Sequence, residues 1–383
     1  MSTRAGYFAS MGSHNAFIPK PLPPDPPIDL SKGLVDLMAD ASASLGVLEG
    51  IAKVIPNPEY FIMMYTKKEA LLSSQIEGTE ATFVDLLASE RRNRALVRYE
   101  MREILNYIEA LQYGLQRVME IPFSLRLLRE IHEILLDDVR GGQRSPGEFR
   151  TGQNFLASPD HAQDISKAVF VPPPIQEMRN ALYDLESYYH QGEEHPLLMC
   201  ALIYAQFETI HPFWDGNGRI GRLLITFFLR ERGILTKPLL YMSYYFKKHR
   251  QAYYDSLTKI RMEGDWEGWL KFFLAGVEEV SRQATKTADA LINLEKKDRA
   301  RMQALRNSSN MVALHQFMLA KPVFEAREVA EQLDVASPTA NTLVNVLAHE
   351  GIISDITGRQ RGRIWAYSDL LDILSEGTKE PPA

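Results

Sequence analysis

The stretch His211-Pro212-Phe213-Trp214-Asp215-Gly216-Asn217-Gly218-Arg219-Ile220-Gly221-Arg222 decides how the chain folds around it. Pro212 biases the residue before it away from the helical region, so we expect an upstream helix to end at His211. Gly216 and Gly218 allow the backbone amides to turn inward, as they do in an anion-binding nest. The next helix directs its free N-terminal amides to the same place, and the stretch therefore predicts an anion site.

Two arginines in this stretch support that interpretation. Arg219 and Arg222 lie three residues apart on one face of the first helical turn, where the helix dipole disfavours cations by about 0.3 kcal/mol or more. An anion held between the amides and the guanidinium groups would remove this conflict, and the planar guanidinium group can bind two phosphate oxygens at once. A pair of arginines alone is typical of a solvated surface, but the whole run in register favours a catalytic phosphate site.

A dinucleotide fold is the alternative interpretation of the glycines. Gly216, Gly218 and Gly221 match the pattern G-x-G-x-x-G, which requires a preceding strand in a βαβ unit. Residues 196–210 (PLLMCALIYAQFETI) instead have the continuous apolar character of a buried helix. We therefore reject the dinucleotide interpretation.

The stretch also resembles the Fic family signature, H-x-F-x-[D/E]-G-N-G-R-x-x-R, at every specified position. The family has a mostly α-helical bundle fold with a short β-hairpin flap. It transfers a nucleotide monophosphate, most often AMP from ATP, to a hydroxyl side chain of a protein. The resemblance implies that His211 is the general base that takes the proton of a Tyr, Thr or Ser hydroxyl. It also implies that Asp215 holds Mg2+.

The same resemblance assigns the phosphate-binding residues. Asn217 and the loop amides around Gly216 and Gly218 would bind the α- and β-phosphates, and Arg219 and Arg222 would bind the β- and γ-phosphates. Phosphoryl-type transfer depends on positioning, a metal ion and neutralised charge, which these groups supply. The intact Gly-Asn-Gly sequence favours AMP transfer over the branch of the family that transfers phosphate, and the use of another nucleotide stays open.

A second informative stretch lies in a helix predicted from about Lys67 to Ala88. Ser73 and Glu77 are four residues apart and share a helix face, which alone is typical of solvated surface. Gly78 in this pattern suggests close approach by another backbone. The segment from Ser73 to Gly78 resembles the family's inhibitory motif, [S/T]-x-x-x-E-[G/N]. This resemblance implies that Glu77 pairs with Arg222 and occupies the place of the γ-phosphate.

Composition excludes several other classes of protein. The net charge of −6 over 383 residues argues against a surface that coats nucleic acid or binds membranes. Cys200 is the sole cysteine, so it can form no intramolecular disulfide, and its apolar helical run predicts a core position. A zinc motif at His132-Glu133 would need histidine at position 136, which is Leu136. The N-terminus lacks a signal-peptide pattern, and we expect a cytoplasmic protein without membrane contact.

We expect three regions along the chain. Residues 1–120 form an N-terminal arm and a helical region with the inhibitory helix, residues 121–290 form the catalytic core, and residues 291–383 form a winged-helix domain. The proline-rich sequence near its end predicts that residues 1–30 are extended.

A β-hairpin is predicted inside the core. Two short β-prone runs, Gln153 to Leu156 and Val169 to Val171, flank a polar loop with Pro159. In the Fic family a hairpin flap lies over the active site and pairs with the main chain of the target.

The winged-helix domain raises the question of DNA binding. It is predicted from helices at Glu325 to Leu333 and from Ser337, as cap, to about Glu350, with two strands around residues 357–363. Residues 321–367 hold five Lys and Arg against six Asp and Glu, and the predicted recognition helix has neither Lys nor Arg. We therefore favour a protein-contact or dimerisation module over DNA binding. A nucleotide-sensing DNA-binding regulator, an enzyme that removes AMP from a modified target, and a homodimer stay open as alternatives.

Overall fold

The computed structural model describes residues 3–30, 32–55, 58–89, 98–139, 145–161, 163–305, 308–359 and 362–378. These residues form fifteen α-helices and two small antiparallel sheets, so the prediction of a mostly α-helical fold is confirmed. The helices span α1 (Lys32–Ala52), α2 (Pro58–Ile76), α3 (Phe83–Ser89), α4 (Tyr99–Arg117), α5 (Leu125–Leu135), α6 (Ile175–Gln191), α7 (Pro196–Ile210), α8 (Asn217–Glu231), α9 (Ser243–Lys248), α10 (Arg250–Glu263), α11 (Trp266–Gln303), α12 (Ser308–Ala320), α13 (Ala326–Leu333), α14 (Ser337–His349) and α15 (Ser368–Ser375). The strands span β1 (Gly6–Ser10), β2 (Asn15–Pro19), β3 (Val323–Phe324), β4 (Ser354–Asp355) and β5 (Trp365–Ala366).

Helices α7 and α8 form the centre of the core. After Pro196, every residue of α7 is buried, because its sequence has no polar face. In α8 the apolar run Leu223 to Leu229 is also buried throughout. Gly114 of α4 allows the ring of Phe227 to approach so closely that a Cβ atom on Gly114 would lie 2.2 Å from it. The loop between α7 and α8 is therefore held by packed elements on both sides.

The longest helix, α11, joins the core to the C-terminal part of the chain. It packs against α1, α7, α12 and α15. The predicted boundary at residue 290 falls inside this continuous helix, and the division into three regions stays a prediction. No helix of the described residues is long and apolar enough to cross a membrane.

The N-terminal residues differ from the predicted extended arm. Strands β1 and β2 pair in register from Gly6 opposite Pro19 to Ser10 opposite Asn15, so the segment is extended but folded into a hairpin that was not predicted. The apolar side chain of Phe17 is buried, and its amide donates to the carbonyl of Val171 at 2.9 Å. The hairpin is thus attached to the core through Phe17.

The inhibitory helix is interrupted where the sequence predicts one continuous helix. Helix α2 ends at Ile76, and α3 begins at Phe83. Gly78 has φ of +100° and faces open space, so the predicted close approach of another backbone is wrong. Glycine is needed there because this backbone conformation ends the helix.

The predicted hairpin flap has little regular pairing. Leu156 and Phe170 form an isolated antiparallel bridge, with the Leu156 amide donating to Phe170 at 2.8 Å. Short 3-10 turns at Pro159–His161 and Ile165–Lys167 occupy the loop between them. Regular pairing between the two predicted strands is therefore confined to this bridge.

The C-terminal helices and strands follow the order expected of a winged helix. Helices α12, α13 and α14 precede β4 and β5, and the sheet order is β3-β5-β4. Ser337 is the first residue of α14, and the cap is Ala336, so the predicted capping role of Ser337 is wrong. Arg361, a predicted wing residue, lies outside the described residues. The assignment to the winged-helix class stays a prediction.

Candidate active site

His211 lies where the sequence predicts, at the junction between α7 and the loop. It ends the helix in the left-handed conformation, with φ 48° and ψ 61°, and its amide donates to Phe207 at 3.0 Å. Its carbonyl, turned away from the helix, accepts from Arg150 Nε at 3.0 Å and from Asn154 Nδ2 at 3.3 Å. The backbone that carries the imidazole is thus fixed from several directions.

The surroundings of His211 keep its ring neutral. Burial, together with the positive charges of Arg261 and Arg150, lowers the pKa of the imidazole to about 4. The carboxylate of Glu77 and the backbone of Glu208 act in the opposite direction but do not outweigh them. At neutral pH the ring is therefore in the form that can accept a proton.

Arg150 is a functional residue that sequence reasoning missed. Its side chain is fully buried, at 0% exposure. Besides the His211 carbonyl it donates to the carbonyl of Gly152 at 3.1 Å and to that of Pro173. It thereby joins the end of α7 to both roots of the flap. An arginine within Pro146-Gly147-Glu148-Phe149-Arg150 carries no signal that distinguishes it from a surface residue.

Arg261 makes a second connection of this kind and was also missed. From α10 it donates to Thr209 Oγ1 and to the carbonyl of Glu208, both at 3.3 Å. Its guanidinium group lies 3.8 Å from the ring centroid of Phe170, at the bridge of the flap. The last turn of α7 and the flap are thus joined through one buried cation.

The loop after His211 closes on itself through Asn217. The Asn217 Oδ1 atom accepts from the Phe213 amide and Nδ2 donates to the Phe213 carbonyl, both at 2.9 Å. Gly216 takes φ of 77° just before α8. The side chain of Asn217 therefore holds the loop, and a phosphate contact from this residue would come from its backbone amide.

His132 fixes the same loop from α5. Its Nδ1 atom accepts from the Gly147 amide at 2.9 Å, so Nε2 carries the proton and donates to the Asp215 carbonyl at 3.1 Å. The ring stacks on Phe213, with centroids 3.8 Å apart and planes inclined by 8°. Burial lowers the pKa of His132 to about 4. Both ring nitrogens thus have hydrogen-bond partners.

Asp215 and Arg219 have fewer close side-chain partners than Arg222 has. Asp215 Oδ1 accepts from the Gly216 amide at 2.6 Å and lies 3.5 Å from Arg219 Nη2. Arg219 also lies 4.0 Å from Glu103, and within the described part of the chain its buried Nε and Nη1 atoms have no hydrogen-bond partner. A phosphate would satisfy these donors. The Asp215 side chain, 34% exposed, suits Mg2+, which usually binds one or two carboxylates together with substrate phosphates.

Arg222 contacts Glu77, which is the pairing that the family resemblance implies, and it also contacts Ser73. Arg222 Nη2 lies 2.7 Å from Glu77 Oε1, and it also donates to the Ser73 carbonyl at 3.0 Å. Arg222 Nε donates to Ser73 Oγ at 2.8 Å. A Cβ atom on Gly218 would lie 2.5 Å from Glu77 Oε1, so this carboxylate lies directly against the first turn of α8.

The charges of this contact favour an ionised Glu77. Its partial burial raises the pKa of the carboxyl group, but the charge of Arg222 and the hydrogen bond from it outweigh burial, and the pKa lies below the ordinary value. Arg222 is 1% exposed and Glu77 is 42% exposed. A buried cation at a helix N-terminus thus has a partly exposed anion of the same chain as its partner.

A cleft opens beside this ion pair. It has a volume of about 490 Å3 and is lined by Glu77, Gly78, Thr79, Tyr99, Glu100 and Glu103. Glu103 is also the distant partner of Arg219. The cleft therefore gives solvent a path to the place where both arginines meet carboxylates.

Two protein-family models match most of the region that forms the site. Residues 35–116 match the model described as Fic/DOC family N-terminal, and residues 122–229 match that described as Fic/DOC family. The second match contains the whole loop from His211 to Arg222, and the first contains Ser73 and Glu77.

Curated relatives match a little under half of the chain. Protein adenylyltransferase Fic of Aedes aegypti is 30% identical over 181 residues, which are 45% of this chain and 32% of that protein. The protein of the same name from Drosophila virilis is 29% identical over 180 residues, again 45% and 32% of the two chains. The chain thus spans about a third of the length of these relatives.

Solved structures share the fold. A Fic family protein from Desulfovibrio desulfuricans G20 aligns with TM-score 0.58 and 19% identity, over 89% of this chain and 97% of that chain. A Fic domain containing signaling protein from Bacteroides thetaiotaomicron VPI-5482 aligns with TM-score 0.50 and 18% identity, over 67% of this chain and 97% of that chain. At these identities the likeness concerns the fold alone.

Proposed function

Because the chain belongs to the Fic/DOC family, we propose that it is a protein adenylyltransferase. It would transfer AMP from ATP to the hydroxyl group of a Tyr, Thr or Ser side chain in a target protein. One observation carries the proposal: the buried Arg222 already binds a carboxylate, that of Glu77, which lies directly against the first turn of α8. A phosphate would find the same partners.

The residues of the site have complementary parts in this reaction. The target oxygen bonds to the α-phosphorus of ATP while the bond from that phosphorus to the bridging oxygen breaks, and pyrophosphate leaves. The neutral ring of His211 takes the hydroxyl proton. Arg219 and Arg222 bind the phosphates that leave, and Asp215 would hold Mg2+, which supplies neutralising charge.

The proposal includes autoinhibition by Glu77. Its carboxylate would occupy the place of the γ-phosphate, so ATP must displace it from Arg222 before the phosphates can bind in the productive position. The support is the 2.7 Å contact with Arg222 and the hydrogen bonds from Arg222 to Ser73. Ser73 would hold the guanidinium group in place whether or not Glu77 is bound.

The test is a labelling experiment. The protein is incubated with α-labelled ATP and Mg2+, with and without a mixture of candidate target proteins, and label is measured on protein after denaturation. We expect label that depends on Mg2+ and is lost in His211→Ala. Absence of protein-bound label from both the parent protein and Glu77→Gly would overturn the proposal.

Removal of AMP from a modified target is a second candidate for the same site. Glu77 is 42% exposed and lines the cleft, so its carboxylate could orient an attacking water molecule. AMP released from a previously adenylylated target by the parent protein, and not by Glu77→Gly, would support this activity. Equal release by both proteins would exclude this role of Glu77.

A further inference from the structure

The end of the described chain contacts the inhibitory helix. Residues Glu376, Gly377 and Thr378 follow α15, and we call them the C-terminal clasp. The Thr378 carbonyl accepts from Gln75 Nε2 at 3.2 Å and from Lys247 Nζ at 3.4 Å. Lys247 Nζ in turn donates to Gln75 Oε1 at 2.6 Å. The clasp thus contacts both Gln75 of α2 and Lys247 of α9, and these two side chains also bind each other.

Gln75 is placed to hold the turn that carries Glu77. Its Nε2 atom also donates to the Ala81 carbonyl at 2.9 Å, so one amide bridges the two ends of the turn. Glu77 lies between these ends, two residues after Gln75. The clasp therefore binds Gln75, and Gln75 holds the segments before and after Glu77 together.

The clasp is part of a larger C-terminal unit. We call residues 308–359 and 362–378 the C-terminal module. Its residue Tyr367 donates to Asp298 Oδ2 of α11 at 2.8 Å, and α15 packs against both α11 and α2. Gly377 lies so close to Tyr244 that a Cβ atom would come within 2.3 Å of the ring. A movement of the module would therefore move the clasp from its place on α2.

We propose that the C-terminal module controls the active site through this contact. With the clasp in place, Gln75 holds the turn and Glu77 stays against Arg222. With the clasp displaced, the turn gains freedom and the ion pair, whose glutamate is already 42% exposed, opens more often. Displacement of the module by a binding partner would thus activate AMP transfer. This inference rests on the proposed function for the reaction that it regulates.

The test uses a substitution far from the site residues. Gly377→Val in the full chain places a branched side chain against Tyr244 at a residue with φ of +79°, so the clasp must leave its position. Gly351→Val is the matched control, because Gly351 lies in the same module with φ of +70° and faces open space. Gln75→Leu is a second variant, which removes the hydrogen bonds and leaves the clasp sequence intact.

Two measurements are made on each variant. Hydrogen exchange of the peptide that contains residues 77–79 reports on the turn without any catalysis, and label from α-labelled ATP reports on transfer. We expect faster exchange and about a fivefold rise in label for Gly377→Val and Gln75→Leu, which is what the loss of one hydrogen bond of ordinary net strength allows. Gly351→Val should match the parent, and Gly377→Val should add nothing to Glu77→Gly.

The two proposals fail in different ways. Unchanged exchange in Gly377→Val and Gln75→Leu would overturn the mechanical coupling. If Gly377→Val and Gln75→Leu show faster exchange but no more label, while Glu77→Gly does gain label, the clasp does not control AMP transfer and that part of the proposal is overturned. No label in Glu77→Gly would overturn the proposed function, and the exchange data would then still decide whether the clasp holds the turn.

Discussion

Replacing Glu77 by glycine is the most direct perturbation of the site. It removes the carboxylate that lies 2.7 Å from Arg222 Nη2 and frees the first turn of α8. Arg222 keeps its hydrogen bonds to the side chain and the carbonyl of Ser73. The guanidinium group should therefore stay in place and become available to phosphate.

The structure bounds the size of the effect. A charge-assisted hydrogen bond to a buried group contributes about 1.5 to 3 kcal/mol, but Glu77 is 42% exposed and solvent weakens the pair. We take about 1 to 2 kcal/mol as the free energy that ATP must overcome to displace Glu77. That range corresponds to a rise of about 5- to 30-fold in apparent affinity for ATP.

The assay compares label incorporation over a range of ATP concentrations for the parent and for Glu77→Gly. Glu80→Gly is the control, because Glu80 is exposed on the same turn and the substitution is the same. We expect half-maximal labelling at lower ATP in Glu77→Gly and no change in Glu80→Gly. Equal ATP dependence in Glu77→Gly and the parent would refute the competition between Glu77 and ATP.

Three further predictions concern pH and packing. Because burial lowers the pKa of His211 to about 4, transfer by Glu77→Gly should stay constant between about pH 8 and 6, and a fall centred near the ordinary histidine pKa of about 6.5 would contradict this. The pKa of Glu77 lies below its ordinary value of 4.5. The ion pair therefore stabilises the folded state above pH 4.5, and this stabilisation is lost as the pH falls through the lowered pKa. The difference in unfolding free energy between the parent and Glu77→Gln should be constant at neutral pH and shrink in acid. Arg150→Met removes the buried guanidinium group that donates to three carbonyl groups. Denaturant unfolding should show that the free energy of unfolding falls by about 3 kcal/mol or more. Arg150→Lys should not restore this stability, because lysine lacks the planar guanidinium group.

Sequence patterns predicted the elements whose signal is local. Proline after His211 predicted the helix end, and the continuous apolar sequence of residues 196–210 predicted a buried helix; the structure confirms both. The break at Gly78 was missed, because helical spacing continues across it and glycine does not reveal the sign of φ. The N-terminal hairpin was missed because its anchor is Phe17, whose partners lie far along the chain.

The role of Asn217 shows a limit of reasoning from a motif. The resemblance implies that Asn217 is a phosphate ligand, which stays a prediction, and gives no sign that its side chain binds Phe213 through both of its polar atoms. The sequence analysis did not identify Arg150 and Arg261, for a related reason. A buried arginine that binds backbone carbonyls has the same sequence appearance as a solvated one.

The sequence by itself determined which groups the stretch from His211 to Arg222 brings together, because residue types, glycine positions and the helix start lie within twelve consecutive residues. It also supplied Glu77 as a candidate partner. Tertiary structure alone decided that Glu77 lies 2.7 Å from Arg222 and that Arg150 and Arg261 lie beside His211. It also placed Thr378 on Gln75. These contacts join residues that are 50 to more than 300 positions apart, and only the packing of helices against one another brings them together.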